Sequence, residues 1–270
     1  MEYLPNLSSE THSISFHAGS SHFCLSSACS ELLVKLELLF DRTAETSETT
    51  IVQNLDAPLP NMQEPLSMLA ARNAGAVVDW VISNAFQSLA GSLWLDGSAL
   101  VGRSNRKCLL VGPSHSGKST LSLALTLRGI GKIISEDISF VNGDAELVPF
   151  IVPVSLRPNS IKLLQQTCNF DGEVVFDEWF YDASLFHRSA VRLPFDTVVL
   201  MNAVEDNRSE KLAAGTVDGA AVTKFLFSHS NALRLQDGVD RLNAAFNNAE
   251  CISLSGGTLD ERLELMATML

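Results

Sequence analysis

Gly112, Gly117, Lys118 and Ser119 are the residues whose spacing carries the most chemistry. They lie in GPSHSGKS, residues 112–119, which fits the pattern glycine, any four residues, glycine, lysine, then serine or threonine. A turn of this kind presents successive backbone N–H groups as donors, and a helix starting at its end adds unpaired N–H groups and a favourable dipole. Phosphate oxygens satisfy both. Gly112, Pro113, Ser114, His115, Ser116, Gly117, Lys118, Ser119 and Thr120 are therefore expected to cradle a nucleotide, with Lys118 reaching the outer phosphates and Ser119 helping to hold Mg2+. His115 reads as a loop residue, with substrate contact or acid–base chemistry as its alternative.

Two adjacent acids, Glu136 and Asp137, follow the apolar pair Ile133-Ile134. A carboxylate at a strand end can hold a metal directly or through water, and another can orient or deprotonate an attacking hydroxyl. Ser119, Glu136 and Asp137 are thus the expected metal ligands. Neighbours on an extended strand face opposite ways, so one of the pair can enter the site while the other does not. The alternative is a pair of solvated acids.

These groups need a strand before the loop and a helix after it. CLLV at 108–111 reads as a central parallel strand, and Ser119–Leu127 as a helix stopped near Gly129. Leu93–Leu95 and Ser98–Val101 read as a strand pair or one bent strand around Asp96-Gly97. Ile133-Ile134 and Ile138–Val141 read as strand segments meeting at the acidic corner, with a hairpin turn at Asn142-Gly143 and a return over Ala145–Val152. Arg157 is expected on a loop before a short helix around Ile161–Leu164. Val198–Met201 and Ile252–Leu254 are expected strands, and Gly238–Ala249 and a segment from near Leu259 are expected helices.

Upstream, residues 12–25 suggest one or two short strands. Ser30–Phe40 fits either a helix, through Leu32, Leu33, Leu36 and Leu39, or a strand, through Leu36, Leu38 and Phe40. Asp41–Pro65 reads as turns, a mobile segment or an irregular edge around a short strand at Ile51–Leu55. One helix, or two broken at Gly75, follows Pro65, with Trp80 on it as a packing residue. The fold class expected is α/β, a nucleotide-binding and catalytic domain over 91–270 with a small amino-terminal α+β accessory or substrate-recognition region over 1–90.

The 270 residues carry a net charge of −12, from 19 basic against 31 acidic side chains. Without a basic footprint to release counterions, nucleic-acid binding is not expected, though a local basic pocket still suits nucleotide phosphates. Five scattered cysteines read as free thiols in a reducing compartment. No apolar run reaches the ~20 residues of a membrane span, and the amino terminus lacks the pattern of a secretory signal. The expected location is cytoplasmic, with no membrane partner.

GPSHSGKSTLSLALTLRG (112–129), GKIISEDISFV (131–141) and VPVSLRPNSIKLL (152–164) together resemble the HPr kinase/phosphorylase superfamily, particularly its compact stand-alone members, some associated with modification of ribosomally made peptides. The resemblance begins near Trp94, extends weakly to NNAECISLSGG, and covers about two-thirds of the chain. It implies a P-loop, HPr-kinase-like core related to phosphoenolpyruvate carboxykinase, and ATP-dependent phosphoryl transfer to a serine hydroxyl of a peptide or small protein. It also allows a homo-oligomer. On this chain it implies that Lys118 neutralises phosphate charge, that Ser119 and the acidic pair support metal binding and hydroxyl activation, and that Arg157 contacts phosphate or substrate, a surface ion pair being its alternative.

Two positions depart from the family. Relatives usually carry two aspartates where this chain has Glu136-Asp137, and the extra methylene displaces a carboxylate by about 1 Å, enough to disturb aligned transfer. Asp137 is the unaltered match. Relatives often place a histidine where Asp96 stands; Asp96 either accepts a proton or adjusts the metal site, or it is a turn residue before Gly97. A small-molecule kinase and an ATP-binding regulatory protein with weak or lost catalysis are the competing readings.

Overall fold

The computed structural model describes residues 11–18, 21–40, 49–57, 64–73, 75–89, 91–202 and 211–270. Alternation sets the first strands: in β1 (His12–Ala18) Phe16 and Ala18 turn inward, and in β2 (Ser21–Ser27) Ser21, Phe23, Leu25 and Ser27 do. They pair antiparallel, His12 opposite Ser27 through Ala18 opposite Ser21. The ambiguous segment is α1 (Ser30–Leu39). Its Leu32, Leu33, Leu36 and Leu39 are buried, whereas Leu38, which a strand would have aligned with Leu36, is 45% exposed. β3 (Thr49–Asn54) joins β2 in parallel; the rest of the 41–65 expectation falls largely outside the described residues. Two helices follow, α2 (Leu66–Arg72) and α3 (Ala76–Gln87), broken at Gly75, and Trp80 packs edge-on against Phe23.

Next come β4 (Leu93–Asp96), β5 (Ser98–Gly102), β6 (Lys107–Val111), α4 (Lys118–Leu127), β7 (Gly131–Ser135), β8 (Ile138–Val141) and β9 (Glu146–Val148). The chain continues through β10 (Val154–Ser155), α5 (Pro158–Cys168), β11 (Trp179–Phe180), β12 (Val191–Arg192), β13 (Thr197–Met201) and β14 (Ala213–Thr216). It ends with α6 (Gly219–Ser228), α7 (Gly238–Phe246), β15 (Glu250–Ser255) and α8 (Leu259–Ala267). The return strand after Asn142-Gly143 is shorter than expected and α5 longer, since Pro158 at its first turn starts the helix early. No pattern in the sequence reading marked β14 or α6.

The fold is α/β with mixed sheets. A six-stranded sheet has the order β14-β15-β13-β6-β5-β7, and a four-stranded sheet the order β12-β9-β8-β4. β6 is central but parallel only to β13, its other neighbour β5 being antiparallel. β4 and β5 do not pair. They form a bent strand that leaves one sheet and enters the other, as do β7 and β8; β4 pairs with β8 and β5 with β7. A two-stranded ribbon thus changes sheets at Asp96-Gly97 and Glu136-Asp137.

The chain divides into two compact units. One comprises the described residues within Met1–Ala90 with Val152–Ser155 and Gly172–Ala183; the other comprises Gly91–Ile151, Leu156–Asp171 and Ser184–Leu270. The second unit's core joins Leu93, Leu95, Leu109, Val111 and Ile134 to Phe195, Val198, Leu226 and Leu242, all essentially inaccessible. No described helix is long and apolar enough to cross a membrane.

Candidate functional site

The bend in the ribbon explains where the acids stand. At Gly97 a Cβ would lie 2.7 Å from the Leu110 carbonyl oxygen, so only glycine lets the bent strand pass this close to β6. The Gly97 N–H donates to the Asp137 carbonyl at 2.8 Å, and Ser139 Oγ donates to the Gly97 carbonyl at 2.8 Å. Asp137 takes φ 63, a left-handed conformation that an aspartate tolerates better than most residues. Asp96 and Asp137 are therefore brought together beside the end of β6 by one hydrogen-bonded joint.

The loop from Gly112 leads from β6 into α4. Its shape depends on His115 at φ 70 and Gly117 at φ 93, two left-handed residues separated by one that is not, an alternation that turns successive N–H groups to one side. A Cβ on Gly112 would stand 2.3 Å from the Met201 carbonyl oxygen, which fixes glycine there by close approach to the end of β13. Lys118 is buried at the first position of α4. Its Nζ donates to the Gly112 carbonyl at 2.8 Å and lies 3.5 Å from Asp96 Oδ1.

The two neighbouring acids meet different surroundings. Glu136 is 3% exposed and accepts from Ser122 Oγ at 3.0 Å, one turn along α4 from Ser119. Burial pushes its carboxyl up; the nearby Ser119, Ser98 and Ser122 hydroxyls oppose this, and the Asp137 charge adds to it. Its Oε1 and Ser98 Oγ are both buried without a partner in hydrogen-bond geometry. Ser116 Oγ, inside the loop, is a third buried oxygen in that state. A buried oxygen in that state calls for a partner such as a water or an ion.

Asp137 is open to solvent yet crowded by protein atoms. Burial raises its carboxyl, the Asp96 charge raises it further, and Lys118 pulls it down.

Hard oxygen donors at Ser119 and Glu136, with an orphaned carboxylate oxygen between the loop helix and β5, fit magnesium. Among the described residues no three His, Cys, Asp or Glu side chains converge to hold a metal by themselves, so an ion here would draw its remaining ligands from phosphate and water.

Arg157, just before α5, reaches the loop: its Nη1 contacts His115 Nδ1 and stands 3.1 Å from Nε2, both side chains being exposed. Thr120 turns the other way. Its hydroxyl donates to Ser160 Oγ at 2.9 Å, tying α4 to α5. Pro113 and Ser114 lie exposed on the outside of the loop. Sequence reasoning did not single out Ser98, Ser122 or Arg262. Ser122 had a signal in its helical spacing from Ser119, whereas Arg262 comes near the loop only through the packing of α8.

No protein-family model matches the chain, and no curated protein matches it. Among solved structures it is similar to the Hpr(Ser) kinase/phosphatase from Coxiella burnetii, at 11% identity and a TM-score of 0.27, over 65% of this chain and 92% of that one. A likeness that distant assigns no residue a role.

Proposed function

We propose that this chain is an ATP-dependent kinase that transfers a phosphoryl group to a serine hydroxyl of a peptide or small protein, using an HPr-kinase-like site. The observation that carries the reading is the convergence of Lys118, Asp96 and Asp137 at the mouth of a glycine loop that opens a helix, with Glu136 buried against the same helix. The loop's N–H groups and Lys118 hold the terminal phosphates and neutralise charge as it shifts toward the leaving oxygen. Asp137 accepts the hydroxyl proton as the serine oxygen attacks the terminal phosphorus and ADP departs. A carboxylate whose affinity for protons is raised suits that task. Ser119 and Glu136 would hold magnesium, which when bound offsets phosphate charge.

Purified protein incubated with ATP, magnesium and candidate acceptors, with added phosphate located by mass spectrometry, tests the reading. Lys118→Ala is expected to lower incorporation by at least about 100-fold. Incorporation undiminished in K118A would remove Lys118 from the site. ATP bound without any phosphorylated product would favour an ATP-controlled binding protein instead.

A further inference from the structure

Arg262 lies one turn into α8, a helix anchored by a capping box in which Thr258 Oγ1 accepts from the Glu261 N–H and Glu261 accepts from the Thr258 N–H. That anchoring aims the Arg262 side chain at the glycine loop. A methyl group placed on Gly117 would stand 3.8 Å from Arg262 Nη1 and 3.8 Å from Met201 Cε. Arg262 Nε donates to the Gly256 carbonyl at 2.9 Å, which fixes the plane of the guanidinium and leaves both η nitrogens as donors.

A half-buried guanidinium ordinarily has an anion beside it, because it cannot shed its charge. Among the described residues none is paired with Arg262. Of the three acids of its own helix, Asp260 is engaged by Arg128 at 3.0 Å and Glu261 by the capping box, and Glu264 forms no ion pair with Arg262. Burial lowers the guanidinium's hold on its proton, the direction expected of a cation short of a counter-charge. Next to it, the N–H groups of Gly117 and the first turn of α4 also lack anionic partners. Two sets of unsatisfied donors thus share one space.

We propose that Arg262 is a second cation of the phosphate site, binding non-bridging phosphate oxygens of the nucleotide from the α8 side of Gly117. This rests on the nucleotide-binding reading above. Planar, forked donors suit tetrahedral phosphate better than a point charge does, and the Gly256 carbonyl sets the fork in advance.

Calorimetric titration of the full chain with magnesium-ATP and with inorganic triphosphate, using wild type, Arg262→Gln and K118A, tests this. R262Q is expected to bind both ligands about 10- to 100-fold more weakly, as loss of charge-assisted hydrogen bonds implies. Wild-type affinity in R262Q, with K118A weakened, overturns the role of Arg262 and leaves the nucleotide site standing. Wild type that binds neither ligand overturns both. A second measurement needs no variant: phenylglyoxal labelling of arginines in the wild type, read by mass spectrometry with and without triphosphate. Triphosphate is expected to protect Arg262 and to leave Arg192, whose side chain is 90% exposed, labelled as before. Equal labelling of Arg262 in both conditions overturns the proposal.

Discussion

Asp96 is one of the two positions where the sequence departs from the pattern it resembles, and here the geometry gives the departure a consequence. Its charge lies close enough to raise the Asp137 carboxyl, after burial, and it also engages Lys118. If Asp137 works ionised, activity falls as pH drops through a value above that of an ordinary aspartate. Asp96→Asn removes one of the two raising causes, so the acid limb of the kcat/KM profile should move to lower pH. A limb that stays put or moves up would exclude Asp137 as the titrating base.

Glu136 supports a second test at the same scale. Its folded-state affinity for protons exceeds the unfolded one, so the folded protein holds the proton longer. Its ionisation therefore costs stability, a cost absent below the ordinary glutamate value and growing as pH rises toward the folded one. Glu136→Gln should be about 1 kcal/mol more stable than wild type at neutral pH, should lose that advantage in acid, and should lose magnesium-dependent activity. Chemical denaturation across pH checks the first two, and a variant no more stable at pH 7 than at pH 4 would mean the carboxyl is not raised.

Among the elements, the glycine loop depends on its neighbours as much as on its own residues. Gly112 touches the backbone at the end of β13, where a Cβ would overlap the Met201 oxygen. A backbone atom cannot rotate away as a side chain would. Gly112→Ala is thus expected to cost more than about 2 kcal/mol and to abolish ATP binding, both measurable by thermal unfolding with and without the nucleotide. Near-wild-type melting would mean the loop sits farther from β13 than it does here. The bent ribbon of β4-β5 and β7-β8 matters in the same way, because its joint delivers two carboxylates from separate parts of the chain to one place.

The whole molecule adds a constraint that no single element shows. Val152–Ser155 and Gly172–Ala183 interrupt the sequence of the second unit yet belong to the unit that contains the amino-terminal residues. Within it, Val154 and Phe180 pair across β10 and β11, and Trp179 Nε1 lies 3.2 Å from where a Cβ on Gly75 would be. A fragment cut to 91–270 would leave Val154, Trp179 and Phe180 without that unit's core. It should bind more of a hydrophobic dye than the full chain and run as larger assemblies than the full chain in gel filtration. A fragment that ignores the dye and assembles no further than the full chain would show that these segments need no support.

The glycine loop, its flanking strand and helix and the acidic corner were legible in the sequence because each rests on local signals: glycine spacing, an apolar run, helical periodicity. At Gly75 the sequence allowed either a break or a continuous helix, and the structure has the break. The choice between helix and strand at Ser30–Phe40 was not, since both patterns place leucines well, and only packing against a partner face decides which are buried. β14 stayed hidden because its four residues are all exposed, leaving no alternation to read. Sequence alone singled out the candidate residues for phosphate chemistry. Tertiary structure decided which of them meet, Asp96 with Lys118 and Asp137, Arg157 with His115, and Glu136 with Ser122 of α4, and it added Arg262 beside Gly117. Contacts between distant parts of a chain are set by how sheets bend and helices pack, and neither leaves a local mark.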